Sequence, residues 1–415
     1  MSEPRAVVVL PELPAPPRCG NAWRDLQQLA VLRRLGFAVH LVVAGPRWDL
    51  TDDEEAAAVR GLEAGVTYLA LERTVPRPAL ARRLVRKAGY LARPTVHPFG
   101  WWLPRTLVPT VADLLGSAAD VLLLRSVFLH EIPRLRRVWP GRIVVDCHDS
   151  DVHLARELLK TVGRAARLGP WANLVGVRRI VARCLPLADE VWTVSLDDAA
   201  QLAGQAPGAR LVVVPSGMDG ATAASTAHPG VDGRALLVAS FGYGPNARGA
   251  EWLLRRVWPA VRRAVPAATL ACVGGRMPAP LARLAAATEG VEAPGLVADL
   301  GPWLGGAAIV LAPVLEGGGT RLKIVEAWSQ GKAVVATSKA LEGLPRGSGA
   351  AVIADDPDAF ARETAALLVD RDRRRALGTR ALEVFRERLT WDVAERAVAT
   401  RSLVGAGRRR TPVTT

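Results

Sequence analysis

Lysine is scarce in this chain: of its 54 basic residues only five are Lys, and the rest are Arg. The formal net charge is +14 and the isoelectric point about 10.7. A charge of that sign attracts anions in general. The uniform preference for Arg, however, reads as a compositional bias of the whole chain and not as one binding surface. No nucleic-acid-binding motif is present, and aromatic residues, at 5%, do not interleave with the basic ones, so no nucleic-acid partner is expected. Cysteine is also sparse. Cys19, Cys147, Cys184 and Cys272 are scattered without C-x-x-C spacing, which argues against a disulfide framework and a zinc site. No apolar run approaches the roughly 20 residues that span a bilayer. The start, MSEPRAVVVLPELP, lacks a basic segment followed by a long apolar one, so it does not read as a signal peptide. The expectation is a cytoplasmic chain that touches a membrane at most from its inner face. The first loop is not G-x-G-x-x-G, and neither G-x-S-x-G nor a Walker A sequence occurs. Nicotinamide dehydrogenases, nucleophile-elbow hydrolases and P-loop enzymes fall away with them.

What is present is material for two globular domains: 415 residues, half of them hydrophobic and 23% charged. The run AVVVL (6–10), a Pro/Gly-rich loop, an amphipathic stretch from Ala22 to Leu35, Gly36 and then FAVHLVV together read as a βαβ opening. Further strands are expected at 66–71, 121–125, 142–148, 190–195 and 210–217. After a small, polar stretch at 218–233, read as the interdomain linker, a second series begins with RALLVASFG and ATLACVGG. It continues at 307–314, 332–337 and 351–354 and turns helical from Asp356 to about Leu403. Short apolar strands alternating with helices imply α/β domains with doubly wound parallel sheets. The expected division is 1–217 and 218–387. The helices about 388–404 should pack back on the first domain, and 405–415 should form a disordered tail. Ligands of open parallel sheets bind beyond the carboxyl ends of the strands. Two such domains should face each other across a cleft, and the loops 11–21, 146–153, 195–198, 215–219, 241–248, 274–278 and 313–320 should carry the function.

The most informative of these loops lies in LAPVLEGGGTRLKIVEAW (311–328). A strand ends in Pro313, three glycines follow, and Thr320, Arg321, Lys323 and Glu326 open a helix. Unpaired backbone N–H groups and the positive end of a helix dipole suit an anion there. One glycine would serve a tight turn. Three in a row before Thr, Arg and Lys favour an anion nest. Lys323 and Glu326 are three apart and share a helix face, so they either pair as a surface salt bridge or serve a ligand's phosphate and hydroxyls. In VVDCHDSDVH (144–153), His148 and Asp149 directly follow a strand, which makes His148 a candidate ligand contact. Asp151 and His153 are weaker candidates, and their spacing gives no metal-ligand set. In the first loop Gly20 permits close approach of a substrate and Asn21 can cap the helix.

These residues resemble the group 1 glycosyltransferases (glycosyltransferase family 4) of the GT-B fold, over roughly residues 5–395. The most specific stretch is APVLEGGGTRLKIVEAWSQGKAVVATSKALEGL, supported by VVVPSGMD and FGYGPNARGAEWLL. The resemblance implies two Rossmann-like domains and transfer of a sugar from a nucleoside diphosphate donor to a hydroxyl-bearing acceptor, with retention and without metal or other cofactor. It implies that Glu326 holds the ribose and that Arg321 and Lys323 flank the diphosphate. Gly318, Gly319 and Thr320 would offer backbone contacts, and His148 would reach the donor sugar. Gly20 and Gly242 would border the phosphates, and Gly274 and Val297 the base. The family's first glutamate is replaced here by Gly318, with Glu316 two residues earlier. Its Arg and Lys after the first strand of the second domain are replaced by Arg248 alone. A GT-B phosphorylase, a nucleotide-sugar epimerase and a non-catalytic nucleotide-sugar-binding protein are the alternative readings. The acceptor is not legible. The basic stretches 73–105 and 134–142 are candidates for an anionic acceptor or for peripheral membrane contact, although a solvated helix face is the simpler reading of them.

Overall fold

The structure, a computed structural model, describes residues 3–15, 20–45, 52–69, 106–116, 119–148, 151–160, 167–224, 230–317, 320–402 and 404. The basic stretch 73–105, with Trp101 and Trp102, and the tail 405–415 lie outside them. The chain divides into two units, Met1–Pro215 with Ala394–Thr415, and Ser216–Val393. None of the described helices is long and apolar enough to cross a membrane.

The first unit is built on β1 (Arg5–Leu10), β2 (Ala38–Val43), β3 (Gly65–Tyr68), β4 (Val121–Arg125), β5 (Arg142–Cys147), β6 (Glu190–Thr193) and β7 (Leu211–Val213). They form one sheet in the order β3-β2-β1-β4-β5-β6-β7. Every pairing is parallel, for example Val8 with Leu41 and Val9 with Leu124. Strands buried on both faces read as continuous apolar runs, and both faces of this sheet are covered. Val7, Val9, Leu122, Leu124, Ile143 and Val145 pack into one core. Ala6, Val8, Leu10, Leu123, Val144 and Trp192 pack into the other. Each fully buried Val, Leu or Phe contributes about 1.5–3 kcal/mol.

The second core also takes in Ala394 and Val398 from the helix Trp391–Arg401, and Val404. The returning chain is fixed by the Ser402 hydroxyl, which donates to buried Glu190 of β6. Trp192 Nε1 donates to the same carboxylate at 2.5 Å.

The second unit repeats the plan with β8 (Arg234–Val238), β9 (Thr269–Val273), β10 (Val291–Gly295), β11 (Ile309–Ala312), β12 (Ala333–Ala336) and β13 (Val352–Ile353), in the order β10-β9-β8-β11-β12-β13. Its core gathers Leu237, Phe241, Leu270, Ile309, Leu311 and Val335. Helices Gly244–Trp252, Trp258–Ala264 and Pro357–Val369 supply much of the cover: Ala250, Trp258, Val261, Phe360 and Leu367 are buried. The π turn Leu253–Val257 joins the first two of these helices.

Two readings of the sequence change. The stretch VEAPG, not among the expected strands, is the edge strand β10. It pairs with β9 through a register shift between Glu292 and Gly295, where an edge tolerates a missing donor. The stretch 218–233 is not a free linker in its described parts. Met218 N donates to Leu389 O at 3.0 Å, Ala224 N to Ser329 O at 2.9 Å and Val231 N to Gly306 O at 3.1 Å. A Cβ on Gly217 would meet Leu389 O at 2.1 Å, which explains the glycine at this contact. Small residues here serve close packing on the second unit.

Candidate functional site

In both sheets the strand order reverses next to the first strand, between β1 and β4 in one and between β8 and β11 in the other. Loops beyond the carboxyl ends of such strand pairs form the crevice where open parallel sheets bind ligands. In the second unit these loops are 239–244, after β8, and 313–321, after β11.

The chain leaves β11 at Ala312 and tightens at once, with Val314 N donating to Ala312 O at 2.9 Å. Gly317 has φ 96°, and a Cβ there would meet Tyr243 Oη at 3.1 Å and Arg321 Nη2 at 3.6 Å. The first glycine of the bend is therefore required by its backbone, and a side chain there would also crowd the Tyr243 hydroxyl. Gly318 and Gly319 lie outside the described residues. The helix Leu322–Ser329 begins directly after Thr320 and Arg321. The Thr320 hydroxyl is buried and makes no hydrogen bond among the described residues.

Lys323 and Glu326 sit on the first turns of that helix, both half-buried. The salt bridge that their spacing permits is not made. Lys323 Nζ instead donates to Asn246 Oδ1 at 3.0 Å, and Asn246 Nδ2 donates to Ser240 O at 2.9 Å. Asn246 lies in the first turn of Gly244–Trp252, so its amide links the helix after β8 to the helix after β11. Sequence reading missed this residue. The signal available was a Pro-Asn pair opening a helix that no side chain caps.

Burial, and then the charge of Arg321, push the Lys323 ammonium down to about 7. Burial pushes the Glu326 carboxyl up to about 7. A cation and a carboxylate, each desolvated and neither neutralised by the other, raise the energy of the empty site. That is the pattern of groups arranged for a ligand.

Arg248 and Glu316, each read as a stand-in for a missing family residue, form an ion pair with each other. Arg248 also lies over the start of its own helix: a Cβ on Gly244 would meet its Nη1 at 3.0 Å. Arg248, Arg321 and Lys323 thus flank two helix N-termini. The glycines after β8 and β9 serve close approach. A Cβ on Gly242 would meet Arg276 Cβ at 2.9 Å, and one on Gly274, at φ 142°, would meet Ala239 O at 1.8 Å. Gly274 N donates to Gly295 O at 2.8 Å, which places the end of β9 beside the turn that carries half-buried Val297.

In the first unit His148 follows β5 and is buried. Its Nε2 lies 2.9 Å from Asp146 Oδ2 and 3.3 Å from Asp25 Oδ1. Its Nδ1 lies 3.4 Å from Asn21 Oδ1. Gly20 opens the helix Gly20–Arg34 that carries Asn21, Arg24 and Asp25, so the first loop and His148 meet at one place. Asp149 lies outside the described residues.

Behind His148 the charges are matched. Arg24 Nη2 is 2.5 Å and its Nε 3.0 Å from the Asp146 carboxylate, and its Nη1 donates to Val214 O at 2.8 Å. Arg125 Nη1 is 2.8 Å from Asp25 Oδ2. Burial alone would raise the Asp146 carboxyl, but Arg24 and His148 outweigh it and hold that group well below the usual carboxylate range. Arg24, Asp25 and Asp146 were not read as site residues. Arg24 and Asp25 are buried together with Gln27 and Gln28 on the same helix, and nothing local in the sequence marks them as inward-facing.

Residues 232–370 match the family model described as glycosyl transferases group 1. No curated protein matches the chain by sequence. Among solved structures, a glycosyltransferase from Rickettsia africae is 11% identical with a TM-score of 0.63, over 95% of this chain and 97% of its own. Anabaena HepE in complex with UDP and glucose is 15% identical with a TM-score of 0.64, over 95% and 98%. A UDP-forming trehalose-phosphate synthase from Burkholderia xenovorans is 12% identical with a TM-score of 0.61, over 95% and 97%. The second unit therefore holds a group 1 glycosyltransferase domain, in a chain with the two Rossmann-like sheets of the GT-B fold.

Proposed function

We propose that the chain transfers a hexose from a nucleoside diphosphate donor to a hydroxyl-bearing acceptor. Retention of anomeric configuration and independence of a metal are part of the same reading. The observation that carries it is the uncompensated pair Lys323 and Glu326 beside Arg321 at the glycine bend. A diphosphate supplies the negative charge that Lys323, held only by the Asn246 amide among the described residues, lacks. Two ribose hydroxyls supply the donors that a buried Glu326 carboxylate needs.

The difficult part of glycosyl transfer is the charge that grows on the leaving diphosphate as the sugar becomes oxocarbenium-like. Fixed cations and helix N-termini stabilise that charge without reorganising, a contribution of several kcal/mol. The acceptor hydroxyl bonds to the anomeric carbon on the face from which the diphosphate leaves. The bond from that carbon to the phosphate oxygen breaks, and the hydroxyl proton passes to a leaving phosphate oxygen. His148 is assigned to the donor sugar and Gly20 to the phosphate and acceptor side. Gly242, Gly274, Val297, Glu316, Gly318, Gly319 and Thr320 are assigned to the donor. The reaction belongs to glycoconjugate biosynthesis in the cytoplasm. The solved relative described with UDP and glucose makes uridine the first base to test.

A thermal-shift panel of nucleoside diphosphates and their sugars tests the reading. One nucleotide should raise Tm by mass action, and Lys323→Ala and Glu326→Ala should remove the rise. A panel without any shift, or a shift untouched by both substitutions, overturns the assignment. The anomeric configuration of the product, measured by NMR, decides retention.

A further inference from the structure

The helix Leu168–Cys184 turns one face outward that has no role in the reading above. Leu168 is 70% exposed and Trp171 45%, and Arg178, Arg179 and Arg183 follow them on the same side. The opposite side, with Val177, Ile180, Val181 and Cys184, is buried in the first unit's core. Just past the helix Leu187 is 43% exposed, and Val138, at the end of the neighbouring helix Ile132–Val138, is 54% exposed. The two helices are joined here, because Arg136 Nε donates to Leu187 O at 2.9 Å.

The charge is of one sign. From Leu158 to Ala188 the sequence has Lys160, Arg164, Arg167, Arg178, Arg179 and Arg183 and not one Asp or Glu. Where acids do occur nearby they are engaged: Asp189 pairs with Arg136 and Glu131 with Arg134. Arg137, Arg178, Arg179 and Arg183 have no carboxylate partner among the described residues. A face that combines Arg without carboxylate partners with protruding Trp, Leu and Val has a specific complement.

We propose that this face docks on an anionic lipid bilayer, with the Arg guanidinium groups on the headgroup phosphates and Trp171, Leu168, Leu187 and Val138 at the acyl boundary. Interfacial helices combine these two features in one face. Nucleic acid would satisfy the arginines but give the exposed Leu and Val side chains nothing. A second copy of the chain across a two-fold axis would set Arg against Arg. The inference is independent of the glycosyl-transfer reading and places membrane contact on a helix other than the basic stretches singled out in the sequence.

The test is flotation of the full chain with vesicles of phosphatidylcholine alone and of phosphatidylcholine mixed with phosphatidylglycerol. Wild type should float with the anionic vesicles only, and added salt should weaken the binding. Each cation near an anionic surface is worth a factor of about five, so Arg178→Glu/Arg179→Glu/Arg183→Glu should lower the partition coefficient about a hundredfold or more. Trp171→Ser should lower it several-fold at any salt concentration. Circular dichroism melting shows that both variants remain folded. Equal binding to both vesicle types, no binding, or binding unchanged in a folded triple variant overturns the proposal. So does loss of a dimer, or of oligonucleotide binding, in a triple variant whose wild type ignores vesicles.

Discussion

Two groups of charged residues lie at the reversal points of the two sheets, and they are built on opposite principles. In the first unit Arg24 faces Asp146 and Arg125 faces Asp25, each pair within hydrogen-bond distance and buried. In the second, among the described residues, Lys323 has only an amide oxygen and Glu326 no cation. The first group is neutral within itself and holds His148 in place. The second is left short of counter-charge by the fold, and in the proposed function the donor completes it. The difference separates charge matched within the fold from charge that the proposed function leaves to a ligand.

The largest effect that should sharpen this contrast is on stability. Arg24→Ala leaves Asp146 buried without its partner and should cost about 3–5 kcal/mol in denaturant unfolding. Lys323→Ala should leave stability unchanged or raised and lower kcat/KM by about 10²–10³. A Lys323→Ala protein that unfolds early would show that the two groups are alike.

Next comes pH. The folded Glu326 carboxyl titrates near 7, above its ordinary 4.5. Below 4.5 it is protonated both folded and unfolded. Between 4.5 and 7 the unfolded chain loses this proton first, so stability falls as pH rises through that window. Glu326→Gln should therefore stabilise the ligand-free protein at pH 8, by about 1–2 kcal/mol, and the gain should shrink as pH is lowered towards 5. A gain independent of pH would point to packing instead.

Lys323, held near 7, should take up a proton when a diphosphate arrives near pH 8. Calorimetry in buffers of different ionisation enthalpy should register that uptake. The smallest expected effect is that of Asn246→Ala. Removing the acceptor of the ammonium, worth about 1 kcal/mol, should weaken nucleotide binding more at pH 8 than at pH 6.5.

Much of this was legible along the chain. Continuous runs such as AVVVL and VLLLR announce strands covered on both faces, because a buried strand needs no polar alternation. The order EGGGTRLKIVE announces a bend before a helix, because both features are local in sequence. What could not be read were contacts between distant residues. Lys323 reaches Asn246 and Arg248 reaches Glu316 across 77 and 68 positions. Nothing local distinguishes an Arg that will be met by a Glu from one that will not. The inward Arg24 and Asp25 were hidden for the same reason, since their partners Asp146 and Arg125 arrive 122 and 100 residues later. The edge strand β10 was hidden because its single neighbour sets it and its own propensity does not.

The late return of residues 394–404 to the first unit has a consequence for how the molecule is made. A ribosome releases the whole of the second unit before Ala394, Val398 and Ser402 can join the sheet of the first. Until then Glu190 lacks the Ser402 hydroxyl that completes its cradle. A nascent first unit is thus held open for the time it takes to translate its guest, and premature termination anywhere in the second unit leaves both halves unfinished.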